Sequence, residues 1–314
     1  MGVLRAHEIK RRGHLVDHKT YLASRPADFR NNMTSKKDRP GLLRLGVQFG
    51  LIGFLGAWIT VGWPFWQVLL VPQGALLISL FTVEHECTHQ TPFASRWLNE
   101  AVGHLAGFAI LLPFLWFRYF HLAHHRWTNL PEKDPELAEA LPRTPLGWVV
   151  YLCGLRTWWG SLRVFARLVA NREQPSFLPK SATVGAVREA RLMLIAYLLL
   201  IWLFPELLWA WILPVMLGQP LLRLYLLAEH GDCPQVVNMF QNTRTTFTTG
   251  LVRFFTWNMP FHTEHHVWPA VPFYRLPRLH DDMKTHLQVT ADGYMAFNRD
   301  YLARHLQAPP DQAR

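Results

Sequence analysis

The apolar positions of this chain come in long unbroken runs, and those runs predict its architecture. Residues 42–61 and 64–83 are each about the roughly 20 residues that a helix needs to cross a bilayer core. Residues 187–204 and 206–228 form a second pair. Short turns at 62–65 and 204–206 join the members of each pair, so the pattern predicts four transmembrane helices arranged as two hairpins. A fifth apolar stretch, 101–117, is near the lower length limit and carries His104 and Pro113. It reads as a re-entrant or interfacial hairpin that dips and returns. Segment 146–173 mixes Trp148, Trp158 and Trp159 with Arg156, Arg163 and Arg167, which suits an amphipathic helix at the interface. The fold class is therefore all-α integral membrane, with re-entrant or interfacial helices and a cytoplasmic helical cap.

Charge orients this arrangement. The first 45 residues hold eleven Lys or Arg, and the two hairpin turns hold none. The positive-inside rule then puts both termini in the cytoplasm. Residues 1–41 read as a basic cytoplasmic arm, 42–306 as the membrane domain and 307–314 as a disordered tail. The arm lacks the apolar core of a cleaved signal peptide, so its charge is assigned to anionic headgroups. A net charge of +10 also raises nucleic acid, but no nucleic-acid-binding motif accompanies it. Cys87, Cys153 and Cys233 are not spaced as a metal site and read as reduced thiols.

The polar positions that break the pattern are mostly histidines. Residues 85–89 read His-Glu-Cys-Thr-His, the H-E-x-x-H form of zinc proteases, with Glu86 in the place of the general base. His121, His124 and His125 follow as H-x-x-H-H, then His230, then His262, His265 and His266 as a second H-x-x-H-H. On a helix, i, i+3 and i+4 share one face, so each triplet can aim its imidazoles at one point. Nine imidazoles are too many for one catalytic zinc, which takes about three protein ligands. They suit two metals with positions left open, and nitrogen ligands alone admit zinc, copper, iron or nickel. If 101–117 returns to the side it came from, all nine lie on the cytoplasmic face. His104, inside that stretch, then reads as a packing residue. A transporter would place such groups along a path through mid-membrane, which disfavours that reading.

H-x-x-x-H and two H-x-x-H-H boxes, with four apolar spans between them, resemble the membrane fatty acid desaturase superfamily, which also holds hydroxylases. "HLAHHRWTNLPEKDPEL" and "AEHGDCPQVVNMFQNTRTT…WNMPFHTEHHVWPAVPFYRLPRLH" are similar to bacterial acyl-lipid desaturase-like proteins. The resemblance implies a non-haem centre of two iron ions, molecular oxygen as co-substrate and an external electron donor. It implies His85, His89, His121, His124, His125, His230, His262, His265 and His266 as metal ligands. Metal-bound imidazoles usually donate their second N–H to a carboxylate or carbonyl. Glu86, Asp134, Glu229, Asp232 and Glu264 are the candidates for that role. The function implied is a desaturase acting on a lipid acyl chain, with a lipid hydroxylase as the alternative and a membrane zinc protease more remote. The setting is a bacterial inner membrane. No fused electron-transfer domain is visible, so reductant comes from another protein, and acidic ferredoxin-like carriers would be drawn to a basic face.

Overall fold

The computed structural model describes residues 16–306. The first 15 residues of the basic arm and the tail 307–314 lie outside them. The described residues are mostly helical, and the chain divides into two compact units that alternate along the sequence.

One unit comprises residues 37–122 and 152–223. It opens with helix Asp38–Val61. Asp38 ties down the helix start by accepting from the backbone N–H and hydroxyl of Ser95, at 2.8 and 2.6 Å. Gly62 ends it in the left-handed conformation (φ 72°), which costs glycine nothing. Helix Trp66–Ile78 returns and, after an adjustment at Ser79, continues as Leu80–Thr88. Helices Lys180–Leu203 and Leu213–His230 supply the second pair, the latter entered through a π-helical turn at Leu208–Ile212. Close backbone contact holds two of these helices together. A Cβ on Gly74 would lie 2.4 Å from the Pro214 carbonyl oxygen, and one on Gly218 would lie 2.3 Å from that of Gly74. Small residues at a crossing are how helices pack where lipid removes the hydrophobic drive between them. Buried Gln73 adds a polar tie, its amide donating to the carbonyls of Ile52 and Ala210 at 3.2 and 3.1 Å. Outward positions such as Phe54, Val68, Val71, Leu198 and Trp202 are exposed and apolar, as a lipid-facing surface requires.

Among the described residues three helical segments are long and apolar enough to cross a membrane: Ala27–Val61, Trp66–Thr88 and Leu208–His230. The third expected span lies within helix Lys180–Leu203, but Arg188, Glu189 and Arg191 interrupt its apolar run. The apolar stretch at 101–117 is not one straight helix. Helices Arg96–Ala109 and Phe114–Trp127 meet at a bend of 102°. Glu189 stitches the bend, accepting from the N–H groups of Phe114 and Leu115 at 3.0 and 2.9 Å. A carboxylate at a helix start is favourable because the first N–H groups lack internal partners. The single amphipathic helix expected over 146–173 is two helices, Pro145–Leu152 and Leu155–Val169. They break at Gly154, which is left-handed (φ 65°) and packed so closely that a Cβ would lie 2.4 Å from the Gln219 side chain.

The other unit comprises residues 16–36, 123–151 and 224–306 within the described range. Short helices and loops build it around a core that includes Tyr21, Met33, Phe240, Trp257, Phe273, Leu279, Met283 and Tyr301. Asp17 caps helix His18–Ala23 by accepting from the N–H groups of Lys19 and Thr20. Thr245–Thr246 pairs in parallel with Thr290–Ala291. All three cysteines are free thiols; Cys87 and Cys233 are buried and Cys153 is exposed.

Candidate metal centre

Each unit gathers its own group of histidines. In the first, helix Leu80–Thr88 presents His85 and ends at His89, one turn further on. The Nε2 atoms of His89 and His121 lie 2.9 Å apart, and the ring of His85 sits 4.1 Å from that of His121. The candidate ligand atoms of His85, His89 and His121 all lie within 4.8 Å of one another.

In the second unit the same holds for His124, His230 and His266. His262 Nε2 is 3.0 Å from His230 Nε2, and His265 Nε2 is 3.2 Å from His125 Nε2. His262, His265 and His266 share the six-residue helix His262–Val267, whose residues are all buried. The rings of His125 and His266 stack at 4.1 Å, with planes 6° apart.

The Nδ1 sides explain why the Nε2 atoms converge. His124 Nδ1 donates to Asp134, 2.9 and 3.0 Å from its two oxygens. His230 Nδ1 donates to the carbonyl of Asn242 at 3.0 Å. His262 Nδ1 lies 3.1 Å from Glu229 Oε1. His266 Nδ1 meets the Thr128 hydroxyl at 3.2 Å, and that hydroxyl donates to the His124 carbonyl at 2.9 Å. An imidazole that keeps its proton on Nδ1 has a bare lone pair at Nε2. Two such lone pairs about 3 Å apart repel unless a cation lies near both. Ligands on one metal at about 2.1 Å and at right angles would be separated by about 3.0 Å. Buried His266 Nε2 has no hydrogen-bond partner among the described residues. Burial, and after it the surrounding imidazoles, push the His266 pKa well below the ordinary histidine value, so the ring is neutral. This donor set fits transition-metal ions in nitrogen-rich sites.

Of the five carboxylates singled out in the sequence, Asp134 and Glu229 contact box histidines. Burial alone would raise the Asp134 pKa. The hydrogen bond and charge of His124, with the N–H groups of Glu136 and Asn129, hold it below the usual carboxylate value. Glu264 instead accepts from Thr245 Oγ1 at 2.6 Å and pairs with His280. Asp232 turns to Arg304 and His305, each at 3.0 Å. Glu86 Oε2 accepts from Thr91 Oγ1 at 3.1 Å, and Glu86 Oε1 stands 3.7 Å from His85 Nδ1, beyond hydrogen-bond range. His104 belongs to neither cluster; its Nδ1 is 2.6 Å from Glu189.

Several supports lay outside the sequence reading. Each residue of the segment Asn242–Thr245 supports an element that carries the second cluster. Its Asn242 carbonyl orients His230, and its Thr243 carbonyl accepts from Thr263 at 3.0 Å. Its Thr245 holds Glu264. Its buried Arg244 donates to the carbonyls of Ala228 and Gly231, at 2.5 and 2.7 Å, clamping the end of the helix that carries His230. The threonine-rich run with one arginine was the available signal.

Residues 60–298 match the sequence profile of the fatty acid desaturase family, well over half of the chain. The chain is 29% identical over 154 residues to an sn-1 acyl-lipid omega-3 desaturase (ferredoxin) of Nostoc sp., a match covering 45% of this chain and 39% of that protein. It is 32% identical over 114 residues to an sn-1 oleoyl-lipid 12-desaturase of Synechocystis sp., covering 34% of this chain and 32% of that protein. A bifunctional fatty acid conjugase/Delta(12)-oleate desaturase of Punica granatum is 36% identical over 69 residues, 22% of this chain and 18% of that protein. The matched stretches thus span well under two thirds of these relatives. The chain belongs to the fatty acid desaturase family.

Proposed function

We propose, on the premise of that family membership, that this integral membrane protein is an oxygen-dependent oxidase that introduces a double bond into a lipid acyl chain. Its nine box histidines would hold two non-haem iron ions. The observation that carries the reading is the set of facing Nε2 atoms in each unit, with Nδ1 protons of the second unit fixed on Asp134, Asn242 and Thr128. Three imidazoles in one unit and three in the other are each enough to begin a metal site with open positions.

When bound, the iron pair supplies the oxidising power to remove hydrogen from a methylene group that no side chain could deprotonate. The overall balance is one –CH2–CH2– unit, one O2, two electrons and two protons giving –CH=CH– and two waters. The residues of this chain do the rest. Asp134 and the Asn242 carbonyl fix the tautomers of His124 and His230, so that Nε2 stays unprotonated. Arg244 and Asn242 hold the backbone on which His230 sits. Burial of the His262–Val267 helix keeps water off the ligands. An outside protein supplies the electrons; the Nostoc relative carries ferredoxin in its name, and we assign a ferredoxin-like donor here. Both termini and the histidine boxes lie on the cytoplasmic side of a bacterial inner membrane in this reading, following the basic arm.

The test is expression in a host with defined lipids, followed by mass spectrometry. Loss of two hydrogens from an acyl chain is the expected result, dependent on oxygen and reductant. Gain of one oxygen would instead make the protein a hydroxylase. Purified protein should carry about two metals per chain, and one metal per chain would overturn the dinuclear assignment.

A further inference from the structure

Helix Leu276–Met283 is tied directly to the box helix His262–Val267. Its His280 pairs with Glu264, which is fully buried between His262 and His265. The ring of His280 is partly exposed and lies 4.9 Å from that of Phe261. The surface around it is cationic. Over residues 25–30 and 275–284, five Lys or Arg stand against three Asp. Two of those acids are already engaged. Asp282 accepts from the Tyr21 hydroxyl at 2.5 Å and from Arg25 at 2.8 Å, and Asp281 is 3.6 Å from Lys284. Among the described residues, Arg275 and Arg278 bond to neutral oxygens: Arg275 donates to Asn32 Oδ1 and the Ser35 carbonyl at 2.6 and 3.1 Å, and Arg278 to Asn32 Oδ1 at 3.3 Å. No carboxylate among the described residues pairs with either; Arg278 is exposed and Arg275 half-buried.

We infer that this face, centred on Arg275, Arg278 and Lys284, is where an acidic one-electron carrier protein docks. The inference rests on the reading that electrons come from outside the chain. A partner seated here would be separated from the ligand-bearing helix by one side-chain pair, His280 with Glu264. Surface cations raise the encounter rate with an acidic partner and contribute less to the lifetime of the complex. The effect of these charges should therefore fade as salt shortens the Debye length from about 30 Å at 0.01 M to 8 Å at 0.15 M.

The experiment uses the full chain in detergent or nanodiscs, with a plant-type [2Fe–2S] ferredoxin as the acidic probe. Arg278→Glu with Lys284→Glu reverses two exposed charges and leaves Arg275 to hold Asn32. The control, Arg156→Glu with Arg163→Glu, makes the same change in net charge on exposed positions of helix Leu155–Val169. The expected result is a roughly tenfold weaker ferredoxin Kd at low salt for the first pair, converging on wild type at high salt. The control should stay within twofold. The neutral pair Arg278→Gln with Lys284→Gln should fall between, and it replaces the reversal if that protein does not fold. With saturating small-molecule reductant all variants should form product equally. Unchanged ferredoxin affinity in the first pair, or an equal loss in the control, overturns the docking face. Wild-type protein that binds ferredoxin yet changes no lipid with any reductant would overturn the functional reading and leave the docking face standing.

Discussion

Asp134→Asn isolates the orientation of one imidazole of the proposed metal centre. The Asp134 carboxylate collects three donors: His124 Nδ1 at 2.9 Å, the Asn129 N–H at 2.7 Å and the Glu136 N–H at 3.0 Å. The two backbone donors use different oxygens. Asparagine keeps one oxygen and turns an amide N–H toward the other donor, so one backbone bond is lost. His124 retains at best a neutral acceptor. Hydrogen bonds to a charged partner are worth about 1.5–3 kcal/mol and neutral ones about 1. The fold should then lose at least about 2 kcal/mol. Metal affinity should fall about 10- to 100-fold, the usual effect of removing such a partner, or roughly 1.4–2.7 kcal/mol. Cobalt(II) titration against a competing chelator reads the affinity, and thermal denaturation of the metal-free protein reads the fold. Asp232→Asn is the control. Its side chain meets Arg304 and His305 rather than a box histidine, and asparagine tolerates its positive φ of 57°. It should leave cobalt affinity within twofold. Wild-type affinity in Asp134→Asn, or the same loss in Asp232→Asn, would refute the argument that Asp134 sets the His124 ligand.

His230→Ala should abolish product and lower the metal content, while His104→Ala, whose ring meets Glu189, should keep both near wild type; the reverse pattern would remove His230 from the ligand set. Glu86→Gln should retain detectable product, because Glu86 engages Thr91 and no proton abstraction by a carboxylate is needed. Peptide cleavage that persists without oxygen and vanishes in Glu86→Gln would restore the zinc-protease reading. Gly74→Ala should destabilise the protein by about 1–3 kcal/mol, since its Cβ would lie 2.4 Å from a backbone oxygen that cannot swing away. Gly46→Ala, with open space around it, should be neutral or slightly stabilising in the same melting assay.

The parts of this protein that follow from periodicity and residue type were legible in the sequence. Long apolar runs became helices, and the stretch around Pro113 became a sharp bend. The H-x-x-H-H spacing marked the histidines but did not aim each triplet at one point: His121 lies in one unit and His124 and His125 in the other, and of the second triplet His266 joins His124 and His230 while His265 faces His125. Partners chosen by tertiary contact were not legible. Asp232 and Asp134 are both acids near a box histidine, and chain distance favours the wrong one. Asp232 is two residues from His230, yet it sits in a left-handed turn that carries its carboxylate away to Arg304 and His305. Asp134 is ten residues from His124, yet a turn closed by the Leu130 carbonyl and the Asp134 N–H at 3.0 Å brings it back. The Asn242 carbonyl and the Thr128 hydroxyl could not be read for a related reason. Every residue offers a carbonyl, and threonine is common, so neither is marked as a histidine partner until the chain has folded. The sequence pattern therefore marks the candidate ligands, whose chemistry is rare, long before it marks the groups that aim them, whose chemistry is ordinary.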